Sequence, residues 1–200
     1  MKRAVKKIIQ SDGVSAVAAG IDAFLDGDPV ATVTKSIASQ FSSTRDALFV
    51  RKVMALIEEI EKVDSVLLGQ TIQNLKNDVG EDYFNEALFS AIEKSDSVKR
   101  TKMYSRLLVL SATNPDAKFR FWEVLNVLQR LLITDFEKVS NAVSYNDSAI
   151  KNKRANLSGF DISPYELRRF NSVGLLTDTL ITAESHENLI LSQLVLACVN

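Results

Sequence analysis

The side chains able to do acid–base or nucleophilic chemistry at neutral pH are few. The chain of 200 residues has one histidine, His186, and one cysteine, Cys198. A Ser–His or Cys–His nucleophile needs a base within hydrogen-bond reach and a third group to orient that base. Nothing around His186 supplies either, so the sequence reads it as an exposed turn residue. Zinc sites draw mainly on Cys and His, and one of each does not build one. The densest acidic cluster, Glu58, Glu59 and Glu61 beside Lys62, spreads around the solvent side of a helix and follows no EF-hand spacing. The seven glycines form no G-x-G and no G-K-[ST], which excludes the two common phosphate cradles. The sequence therefore implies no catalytic residue, no metal, no cofactor and no small-molecule substrate.

Two other constellations stand out. Gly13, Gly20 and Gly27 recur every seven residues, with Ala16 and Ala19 between them and Val14, Val17, Ile21, Phe24 and Leu25 around them. Seven residues is nearly two helical turns, so the small residues form one stripe that admits a second backbone closely. Gly13, Ala16, Val17, Gly20, Ile21 and Phe24 are the candidates for self-association or packing on a protein partner. Lys2, Arg3, Lys6 and Lys7 precede this stripe, and the alternative is contact with an anionic membrane surface. A plainer alternative is that Gly13 opens and Gly27 closes a helix packed on its own domain.

The second constellation is basic. Lys99, Arg100, Lys102 and Arg106 crowd one stretch, and Arg168 and Arg169 lie on a later helix. These six are the candidates for polyanion contact. Against nucleic acid, Leu167 and Phe170 must point inward, and no stacking aromatics interleave with the basic residues. Glu93, Asp96 and Glu166 also dilute the charge. The aromatics Phe119, Phe121, Trp122 and Phe136 read as core.

Elements must position these groups, and composition bounds them. A chain of this length fits one domain, or one domain with a small appendage, and buries roughly 70% of its unfolded surface. The hydrophobic fraction is 46%, the charged fraction 24% and the net charge −1, so no global field gathers polyanions. A lone cysteine makes no internal disulfide and suits a reducing compartment. The basic start is followed by an apolar stretch broken by Asp12 and Asp22, which argues against a signal peptide. No run approaches the ~18 apolar residues of a membrane span. The expected location is cytoplasmic, with a peripheral membrane position as the alternative.

Apolar residues recur at three- and four-residue spacing, the helical signature. Helices are predicted over about 2–10, 13–25 and 29–41, and from the Ser43-x-x-Asp46 box to about Val63. Val50, Val53, Met54, Ile57 and Ile60 form the apolar face of that last helix. Asp64 or Ser65 opens the next, which Gly80 can end. Further helices are predicted at about 81–94, 97–112, 116–132 and, from Thr134, to Tyr145. Residues 146–160 are polar and aperiodic and read as a loop or linker. Ser163-Pro164-Tyr165-Glu166 is a strong helix start, with an end near Val173-Gly174. Leu180-Ile181-Thr182 and Leu189-Ile190-Leu191 read as two short strands around a turn holding His186. Ser192 could cap a last short helix, or 189–199 could form one strand.

The expected fold is mainly α: a multi-helix body over 1–145, a linker over 146–160, and a small α+β tail over 161–200. That tail is a helix plus a two-stranded, winged-helix-like hairpin. Thr44-Arg-Asp-Ala-Leu-Phe-Val-Arg-Lys52, Lys99-Arg-Thr-Lys-Met-Tyr-Ser-Arg-Leu-Leu108 and Glu166-Leu-Arg-Arg-Phe-Asn-Ser-Val-Gly-Leu-Leu176, in that order, resemble uncharacterised all-helical proteins of bacterial and prophage genomes. More distantly they resemble the abortive-infection alpha-type proteins. The resemblance implies a helical body with a small mixed tail and a role in phage–host conflict (antiviral defence), and it carries no catalytic residues. The expected function is a non-enzymatic helical protein-interaction module that self-associates. The alternatives are a membrane-associating defence effector and a nucleic-acid binder using the tail.

Overall fold

The computed structural model describes residues 44–61, 63–141, 162–175 and 183–199. The Gly13–Gly27 stripe, the basic start, the 146–160 linker and the 180–182 strand expected from sequence lie outside these residues. The chain divides into two compact units, Met1–Lys118 and Phe119–Asn200. The division falls inside the segment that the sequence reads as one helical body.

The described part of the first unit is built from α1 (Thr44–Ile60), α2 (Ser65–Val79), α3 (Glu81–Lys94), α4 (Val98–Thr113) and all but the last residue of the short α5 (Pro115–Phe119). Local chemistry sets most of the boundaries. Asp64 Oδ1 accepts from the Val66 and Leu67 amides at 3.0 and 2.9 Å, satisfying donors that the first turn of α2 leaves open. Gly80 ends α2 with φ +91°, and its amide donates to Lys76 O at 2.8 Å. Ser97 caps α4 through the Arg100 amide. Asn114 Oδ1 accepts from the Ala117 amide at 3.1 Å where Pro115 starts α5.

The core of this unit forms where α4 packs against α1 and α2, with α3 against α1 and α2. Val50, Val53, Ile57 and Ile60 are buried as the spacing predicts, whereas Met54 is half-buried. Leu56, Ala55 and Lys52 are buried as well, so α1 is enclosed on more sides than a single stripe requires. Leu68, Ile72, Phe84, Leu88, Ile92, Met103, Leu107 and Leu108 are also buried in this interior. Each contributes about 1.5–3 kcal/mol of apolar burial.

The second unit contains α6 (Phe121–Arg130), a helix α7 at residues 135–141, α8 (Pro164–Asn171) and α9 (Ala183–Val199). The capping box expected at α8 is present: Ser163 Oγ accepts from the Glu166 amide, and Glu166 Oε2 accepts from the Ser163 amide at 2.8 Å. Gly174, at φ +77°, turns the chain after α8.

The structure corrects the sequence reading in three places. First, there is no strand among the described residues, so the two-stranded, winged-helix-like hairpin is not supported. Residues 183–199 form one helix, with His186 inside it rather than in a turn and Ser192 in its interior rather than at its start. The physical reason is periodicity. Leu191, Leu194, Val195 and Cys198, at spacings of three and four, are all buried, and their shared face rests on α6. Leu191, the last residue of the triplet that suggested a strand, is the first of this buried set.

Second, the helix predicted over 116–132 is two helices, α5 and α6, separated at Arg120, whose φ and ψ are −99° and 18°. Third, Phe119 is not core: it is 89% exposed. The buried set Phe121, Val124, Leu125 and Leu128 follows the 3.6-residue repeat. Phe119 is the last residue of α5, before the break at Arg120, and so stands outside that repeat. Phe121 and Phe136 are buried as expected, and Trp122 is half-buried.

Candidate functional site

His186 and Cys198 do not form a catalytic pair. They are twelve residues apart on one helix, about 18 Å along its axis. Cys198 is fully buried, with its Sγ 3.3 Å from Leu194 O, and burial removes the access a reactive thiol needs. Among the described residues no group of three His, Cys, Asp or Glu side chains is placed to hold a metal ion. None of their helices is long and apolar enough to cross a membrane.

The densest set of buried polar groups lies where α1, α3 and α4 meet. Lys52 is 4% exposed, and its ammonium donates to Glu93 O at 3.0 Å and Ser95 O at 2.6 Å. Both carbonyls belong to the C-terminal end of α3, where helix carbonyls lack intrahelical partners and the dipole favours a cation. Lys52 is thus a C-terminal cap supplied by another helix. Burial pushes its pKa below the ordinary 10.5, against the attraction of Asp96 and Glu93.

Beside it, Ser95 Oγ donates to Ile92 O at 2.8 Å and lies 3.1 Å from Thr101 Oγ1. Thr101 and Ser105 are fully buried, and Ser105 Oγ donates to Thr101 O at 3.1 Å. The Arg100 guanidinium grips Asp96 with two bonds, Nε to Oδ1 at 2.9 Å and NH2 to Oδ2 at 3.0 Å. These bonds, with the Ser97 hydroxyl, hold the Asp96 carboxyl below its usual range. Tyr104 is buried, and that burial pushes its phenol up to about 12.

Lysine beside serine invites comparison with a Ser–Lys nucleophile. The geometry argues otherwise. The Lys52 ammonium points its protons at carbonyls, and the Ser95 hydroxyl donates to a carbonyl rather than to the amine. A nucleophile needs its proton directed at its base. The arrangement closes a helix end and joins three helices.

The six candidate polyanion contacts fall in different places. Lys99 is exposed on α4, whereas Arg100 is buried and bound to Asp96. Lys102 lies 3.7 Å from Glu59, and Arg106 is half-buried on α4. Arg168 is exposed on α8, its Nε donating to Pro164 O at 3.2 Å. Arg169 pairs with the buried carboxylate of Asp135, and its guanidinium sits 5.7 Å from the ring centroids of Tyr165 and Phe170. Lys138 binds Glu166 at 2.7 Å, so two ion pairs join α7 to α8. The Glu166 carboxyl is held down to about 2 by Lys138 first and then by Ser163. Lys99 and Arg168 are the two of the six that the structure leaves most exposed.

Lys52 escapes sequence reasoning because its partners are 41 and 43 residues away. One signal pointed to it: Val50, Val53, Met54, Ala55, Leu56 and Ile57 surround it with apolar residues on most sides of the helix.

No protein-family model, curated protein or solved structure matches this chain.

Proposed function

We propose that this chain is a non-enzymatic helical interaction module that assembles with itself. The Gly13, Ala16, Val17, Gly20, Ile21 and Phe24 stripe is its expected contact, and Phe119 is a further apolar anchor. The observation that carries the reading is Phe119 itself, 89% exposed on a helix. A phenylalanine in that state forgoes about 1.5–3 kcal/mol of burial, which a partner surface would recover. Large aromatics of this kind dominate binding energy at interfaces.

The charged groups support the same reading. Arg100, Lys102 and Arg169 engage Asp96, Glu59 and Asp135, which weighs against a basic surface committed to nucleic acid. A role in phage–host conflict is part of the proposal and rests on the sequence resemblance. The membrane alternative rests on Lys2, Arg3, Lys6 and Lys7. It requires co-sedimentation with anionic liposomes that is lost when these four are neutralised.

The test is a tagged pull-down from the native host, with bound protein, lipid and nucleic acid all quantified. Recovery of a second, differently tagged copy is expected. Recovery of lipid or nucleic acid without protein would overturn the proposal.

A further inference from the structure

We draw no further inference here: the strongest candidate, the exposed Tyr165–Arg168 surface of α8 beside the Asp135–Arg169 pair, offers one exposed aromatic and one exposed cation, and nothing in the structure shows what covers it.

Discussion

Replacing Lys52 by methionine isolates the role of the buried ammonium. The substitution keeps an unbranched side chain of similar length and removes the charge. Two carbonyls at the end of α3, Glu93 O and Ser95 O, lose their donor. A hydrogen bond from a charged donor is worth about 1.5–3 kcal/mol, so the pair amounts to about 3–6 kcal/mol before any offset. The offset is the cost of burying the charge of Lys52, a residue 4% exposed, and the same cost pulls its pKa down. We expect a net destabilisation of the first unit of about 2–3 kcal/mol.

Tryptophan fluorescence is the wrong readout, because the single Trp, Trp122, lies in the second unit. Native-state hydrogen exchange resolves the first unit directly. Amides of α3 and α4 should exchange roughly 30- to 160-fold faster in Lys52→Met, the rate equivalent of that free energy. Exchange at the wild-type rate would mean that the buried charge contributes nothing net, and slower exchange that it is a burden; either result would show that capping of α3 does not depend on it.

Three further outcomes follow from the same geometry. Glu166 has a folded-state pKa of about 2 against an ordinary 4.5, so its contribution is complete above about pH 4.5 and is lost as pH falls toward 2. Glu166→Gln should therefore flatten the acid limb of the second unit's unfolding, followed by Trp122 fluorescence; an unchanged acid limb would contradict the Lys138 and Ser163 contacts. Tyr104, raised from 10.0 to about 12, favours the folded state below pH 10 and loses that contribution as pH rises through 12. In an ultraviolet titration of tyrosinate, Tyr104→Phe should remove the late-ionising component; its persistence would place that component elsewhere. Ser192 Oγ donates to Leu175 O at 2.7 Å from a fully buried position. Ser192→Ala should destabilise the second unit by about 1–2 kcal/mol in urea unfolding, and a neutral result would show the carbonyl satisfied without it.

What the sequence revealed was local. Asp64, Ser163 and Glu166 announce helix starts because their partners lie within three residues, and Gly80 announces a stop because its φ of +91° suits no other residue as well. Failures arose where position, not type, decides. The Leu189–Leu191 triplet has the composition of a strand; what marks it as helix is the buried set Leu191, Leu194, Val195 and Cys198, most of which lies beyond it. Phe119 has the composition of core, but the break at Arg120 takes it out of the repeat that buries Phe121. Arg100 and Arg169 look like a basic surface in one dimension. In three dimensions they meet Asp96 and Asp135, the latter 34 residues away. The Gly13–Gly27 stripe rests on its spacing.

The central claim is self-association through apolar surface, and sedimentation equilibrium over a range of concentrations tests it most directly. The wild-type chain should shift from monomer to a defined oligomer as concentration rises. Gly20→Leu and Phe119→Ser should each weaken that shift by roughly 5- to 30-fold, the equivalent of an interface truncation costing about 1–2 kcal/mol. Exposed Phe119 is replaceable with little effect on folding, within about 0.5 kcal/mol, so its unfolding curve should overlay that of the wild type. A wild-type chain that remains monomeric at every concentration would contradict the account.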